Sequence, residues 1–102
     1  MVDGRFEALG GGDFRAVGEL TFETVPEVWE RSRGMFEAGA AEIGVEFSGV
    51  TWADSAGLAL LIEWVRSARE AGVALRFRDI PEQMLAIARV SGVEDILPLD
   101  AD

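Results

Sequence analysis

The side chains able to do chemistry near neutral pH form a short inventory. The chain has no His, Lys, Cys or Tyr. That removes the common general bases, Schiff-base lysines, thiol nucleophiles, Ser-His-Asp triads and the lysine of a phosphate-binding loop. Carboxylates, Ser and Thr hydroxyls and Arg remain. A two-carboxylate hydrolase is still conceivable from these, but the 19 acidic residues are spread along solvated faces. Gly10-Gly11-Gly12 lacks the residues of a phosphate cradle and reads as a turn. No catalytic residue, metal site or cofactor is expected, and the chain reads as a non-enzyme.

One hydroxyl stands out by its setting. From Val45 to Leu61 a strand runs into a short loop and then into a helix whose first turn holds Asp54, Ser55, Ala56 and Gly57. Asp54 suits the N-cap, with its charge at the positive end of the helix. Ser55 then sits where free backbone N–H groups point outward. The pair supports two readings: an ordinary helix start, or a contact site that phosphorylation of Ser55, adding about −2 charge, would disrupt. On the helical wheel Leu58, Leu61, Ile62, Val65 and Ala68 share the core face, with Trp64 at its edge. Ala56, Ala59 and Leu60 point away, and Trp52 and Ala53 extend that apolar character into the loop. Trp52, Ala53, Asp54, Ser55, Ala56, Ala59 and Leu60 are therefore the candidate partner-binding set. Under the competing reading Trp52 folds back on the core and the alanines only favour helix.

The elements that must position this set follow from patterning. Arg5 to Leu9 and Phe14 to Leu20 read as a hairpin. Thr24-Val25-Pro26-Glu27 has the form of a capping box opening a helix that Gly39 would end, with Val25, Val28, Trp29, Met35 and Phe36 on one side. Ile43 to Phe47 alternates as a strand, with a break at Ser48-Gly49. A helix spans about Ser55 to Ala71 before Gly72, and Val73 to Phe77 forms a further strand. Asp79-Ile80-Pro81-Glu82 repeats the start signal for a helix over about Ile80 to Val90, with Met84, Leu85, Ile87 and Ala88 inward. A Glu94 to Leu97 turn and an acidic tail close the chain. This order predicts an α/β sandwich with a small mixed sheet, the hairpin antiparallel and the later strands parallel.

Composition bounds the remaining possibilities. The 102 residues, read as one domain over 1–102, are 49% hydrophobic, enough for one core. A net charge of −10 opposes contact with nucleic-acid phosphates or anionic lipid, and the nine cations, all Arg, form no basic patch. No leader pattern opens the chain, no stretch nears the roughly 18 apolar residues of a span, and zero Cys fits a reducing compartment. A cytoplasmic location without direct membrane insertion is expected.

Asp54-Ser55-Ala56-Gly57-Leu58, set after the strand Ile43 to Phe47 and followed by helix, strand and helix, resembles the signature of STAS domains. This family includes anti-sigma-factor antagonists and cytoplasmic domains of sulfate transporters. Gly18-Glu19-Leu20-Thr21 extends the resemblance toward the start. Ser48-Gly49-Val50-Thr51, Asp54 to Leu61 and Gly92-Val93-Glu94-Asp95-Ile96-Leu97-Pro98 are similar to the STAS subunits of bacterial Mla phospholipid-transport ABC systems. The resemblance implies a STAS-like α/β fold, a mixed four-stranded sheet packed with three main helices. It implies a non-catalytic subunit, peripheral to the inner membrane, that binds and regulates the ABC ATPase of a system maintaining outer-membrane lipid asymmetry. Such a subunit touches neither ATP nor lipid. The alternative it implies is an anti-sigma-factor antagonist that binds an anti-sigma-factor kinase and is controlled by phosphorylation at Ser55, which matches the modified hydroxyl position. Ala56 departs from the antagonists, which usually carry Ser or Thr there. The surface around Trp52 and Leu60 could equally pair two copies of the isolated domain.

Overall fold

A computed structural model describes residues 3–100. Strands β1 (Gly4–Gly10) and β2 (Asp13–Leu20) form the antiparallel hairpin, and β3 (Glu42–Ala53) and β4 (Ala74–Arg78) complete a sheet of order β1-β2-β3-β4. The β2–β3 and β3–β4 pairs are parallel. Helices α1 (Val25–Ser32), α2 (Ser55–Ala71) and α3 (Glu82–Val90) follow β2, β3 and β4 respectively. The expected mixed sheet with three main helices is therefore present.

Alternation decides which sheet face the helices cover. Ala16, Leu20, Ile43, Val45, Phe47, Leu75 and Phe77 point to one side and are buried. The other side is open and charged: Arg15 bridges Glu7 on β1 and Glu46 on β3. Hydrogen bonds from the Ser48 hydroxyl and from Arg15 hold the Glu46 carboxyl below its usual range, against the opposing effect of burial. Exposed pairs of this kind contribute about 0–1 kcal/mol each, so stability resides in the covered layer. Its centre is Trp64, fully buried among Phe6, Phe47 and Phe77, with its Nε1–H donating to the Ser32 hydroxyl at 2.8 Å.

Several local expectations need correction. The helix after Thr24 does not run to Gly39. It ends at Ser32, and Gly34, at φ 90°, turns the chain into a 3₁₀ turn over Met35–Glu37. Only Gly adopts that angle without strain. The expected capping box does not form. The Thr24 hydroxyl instead donates to the Glu19 carbonyl at 2.6 Å and accepts from the Thr21 N–H, pinning the β2–α1 connection. Asp79 likewise caps nothing: it takes a φ of 60°, and α3 begins after Pro81.

The strand expected to break at Ser48-Gly49 continues to Ala53. Its pairing with β2 slips by one residue between Glu46 and Gly49 and again between Val50 and Trp52. Each slip is a bulge that reverses which side chains face inward. The buried positions accordingly run Ile43, Val45, Phe47, then Val50, then Ala53, with spacing changing from two to three. At the other end, Leu99 and Asp100 of the expected acidic tail are strapped to the edge of β4. The Phe77 N–H donates to the Pro98 carbonyl, and the Asp100 N–H to the Phe77 carbonyl, both at 2.8 Å. Residues 101 and 102 of that tail lie outside the described residues.

Candidate functional site

The second bulge of β3 creates the site. Without it Trp52 would face the core; with it Ala53 takes the inward position and Trp52 is left 54% exposed. Ala53 itself is fully buried. Its backbone is gripped by a side chain that sequence patterning does not single out: Gln83 of α3 accepts from the Ala53 N–H at 3.0 Å and donates to its carbonyl. An amide that pairs with both backbone groups of one residue replaces the sheet partner that β4, ending at Arg78, cannot supply here.

Asp54 then turns the chain into α2. Its backbone N–H donates to the Leu20 carbonyl, and Oδ1 accepts from the N–H groups of Ala56, at 2.8 Å, and Gly57. Oδ2 accepts from the Phe22 N–H at 3.1 Å. One carboxylate thus caps the helix and ties it to the β2–α1 connection. Gly57 sets how closely the helix can approach the sheet: a Cβ there would stand 2.5 Å from the Leu20 carbonyl oxygen. No side chain fits at that position without moving backbone.

Ser55 lies exposed on the first turn, and its hydroxyl has no hydrogen-bond partner among the described residues. Ala56 is half-buried and Ala59 exposed. Leu60 is a correction to the expected outward set, being 2% exposed. The cause is α1, which lies beside α2 and rotates its buried arc toward Leu60 and Trp64, leaving Ile62 and Val65 only half-buried. Ala53 is the second correction, since it also faces inward. The reachable members of the set are Trp52, Asp54, Ser55, Ala56 and Ala59.

Two features escaped the sequence. Phe22, beside Asp54, is 75% exposed. A shallow apolar groove also runs between the helices, walled by Val25 and Trp29 of α1 and Ala56, Ala59 and Glu63 of α2, with Leu60 lining it. Glu63 is paired with Arg66 at 2.6 Å. That bond, with the charge of Glu63 and of nearby Glu70, raises the guanidinium above its usual range. The order Trp-Ala-Asp-Ser-Ala-Gly, with Phe two residues after the end of β2, is the only trace of this geometry in the chain.

The site is an open surface: a helix start with two exposed aromatics on the segments that meet there and a shallow apolar groove along α1 and α2. Among the described residues no cluster of His, Cys, Asp or Glu could hold a metal ion, and no helix is long and apolar enough to cross a membrane.

Solved structures share this fold. One chain of the Acinetobacter MlaFEDB complex, solved in an ATP-bound conformation, superposes with a TM-score of 0.75 at 20% identity, over 88% of this chain and 95% of that one. An anti-sigma factor antagonist from Mycobacterium paratuberculosis gives 0.74 at 15% identity, over 100% and 87%. The phosphorylated form of SpoIIAA, a Bacillus cell fate determinant, gives 0.69 at 16% identity, over 98% and 93%. No curated protein sequence matches significantly. The family model described as "Mlab, STAS domain" matches residues 11–98, from the β1–β2 turn through the strap on β4. This chain belongs to that STAS-domain family.

Proposed function

We propose that the chain is a non-catalytic docking subunit that binds the ABC ATPase of an Mla-type phospholipid-transport system through the first half of α2 and regulates it. The observation that carries this reading is the unpartnered surface at that point: an exposed hydroxyl on Ser55, Ala56 and Ala59 lining an apolar groove, and exposed Phe22 and Trp52 on the segments that meet at Asp54. Small residues let a partner element approach the helix backbone closely, and large exposed apolar groups give it something to bury. The family description and the likeness to a chain of the MlaFEDB complex support the transporter as the setting. In that setting the domain works in the cytoplasm, held at the inner membrane by the complex, and its effect on lipid asymmetry is exerted through the ATPase.

Co-expression with the ATPase of the same organism's Mla-type system tests this. The two proteins should co-elute on size-exclusion chromatography as one stoichiometric peak; separate elution at micromolar concentrations contradicts the proposal. A second reading, an anti-sigma-factor antagonist, is favoured by the unpartnered Ser55 hydroxyl, which is open to a kinase. Co-elution with an anti-sigma-factor kinase in place of the ATPase would select it.

A further inference from the structure

The end of the molecule where α2 begins combines exposed aromatic rings with an excess of negative charge. Phe22 and Trp52 flank Asp54, joined to it by the Phe22 N–H bond and by chain continuity. Glu19 stands opposite Trp52 in the β2–β3 pairing, and Glu23 follows Phe22. The stretches that build this end contain no cation: none lies between Arg15 and Arg31, and none between Arg33 and Arg66. Arg5 and Arg31 line the cavity that Glu23 borders, but Arg5 pairs there with Asp3 and Glu7 and Arg31 with Glu27, which leaves the cavity with an excess of carboxylates. Glu19 and Glu23 form no ion pair among the described residues, unlike Glu63 on the groove wall. The field here is therefore negative, on a chain that already carries −10.

Resting on the docking reading above, we propose that the partner face received by this end is basic: arginine or lysine side chains around an apolar recess that takes Phe22 and Trp52. Charge complementarity assigns the sign, because an acidic partner would set like charges against these rim carboxylates and a neutral one would gain nothing from their field. The same charge disfavours a nucleic acid or an anionic lipid surface as the occupant. The two features divide the labour. Rim carboxylates outside the buried centre steer encounter and set the association rate, whereas aromatic anchors in a desolvated recess set the dissociation rate.

Interferometry with the immobilised Mla-type ATPase and the full chain in solution separates these rates. Raising salt from about 0.1 M to about 1 M shortens the screening length from about 10 Å to about 3 Å. Association should slow about tenfold with little change in dissociation. The Glu19→Gln/Glu23→Gln double variant should associate several-fold more slowly at low salt and show a flatter salt response. Phe22→Ala should dissociate about tenfold faster at either salt. Circular dichroism verifies that both variants fold. If association ignores salt and the double variant, or Phe22→Ala dissociates like the parent, while Ala59→Arg still blocks binding, the basic-partner inference falls and the docking reading stands. No binding by the parent chain overturns both.

Discussion

Replacing Ala59 by arginine should weaken binding to the partner ATPase about 100-fold or more while leaving the fold intact. Ala59 is exposed on α2 and forms one wall of the groove beside Trp29. In the free protein an arginine there extends into water, at a helical position where its propensity is close to that of alanine. In the complex it would occupy the space into which a partner side chain must pack, or be buried without a counter-charge. Losses of about 2–5 kcal/mol are typical of an unpaired charge buried in an interface, which corresponds to roughly 30-fold to 1,000-fold or more in affinity. Titration calorimetry of Ala59→Arg against the parent reads this directly, with Ala59→Ser as the conservative control that should bind within a few-fold. Equal affinity for Ala59→Arg would remove the groove from the interface.

The second large effect concerns stability. Gly57→Ala sets two forces against each other. Alanine is favoured over glycine inside a helix by about 1 kcal/mol, so on propensity alone the variant should be more stable. The new methyl, however, would meet the Leu20 carbonyl oxygen at 2.5 Å and the Cβ atoms of Leu20 and Ala53 at 3.0 and 3.2 Å. A carbonyl in the sheet cannot rotate away as a flexible side chain would, and relief requires lifting the first turn of α2 and stretching the Asp54 hydrogen bonds. Overpacking of this sort costs about 1–3 kcal/mol, toward the upper end where backbone must move. A net loss of about 2 kcal/mol is expected in urea unfolding. The neighbouring Ala56→Gly should lose only the propensity difference of about 1 kcal/mol. A Gly57→Ala protein as stable as the parent would mean that the helix does not lie as close to β2 as the structure has it.

These two neighbours illustrate how much of the site could be read from the chain. Asp54 as cap, Ser55 as an exposed hydroxyl and α2 ending before Gly72 are local matters of capping chemistry and helical period, and they are found as expected. The strand-helix order likewise fixed the parallel pairing of β3 and β4, because a helix must carry the chain back. What escaped depends on contacts between distant segments. Leu60 and Trp64 turn inward because α1 lies along that flank of α2, and no periodicity within α2 reports the presence of a neighbour. Ala53 faces inward, against expectation, and Trp52 stays outward because of two bulges, each a one-residue mismatch with a strand some 30 positions away. Thr24 had the spacing of a capping box, but the Glu19 carbonyl and Thr21 N–H compete for its hydroxyl and win. Gln83 and Phe22 matter only through where α3 and the β2–α1 connection come to rest.

The docking account is tested most directly by an NMR titration of the isotope-labelled chain with unlabelled partner ATPase. Backbone signals of Phe22, Trp52, Ser55, Ala56 and Ala59 should shift or broaden first and most, with those of Arg5, Glu7 and Arg15 on the open sheet face unmoved. Perturbation confined to that open face, or to α3 and the strap at Leu99, with the start of α2 unchanged, would contradict it.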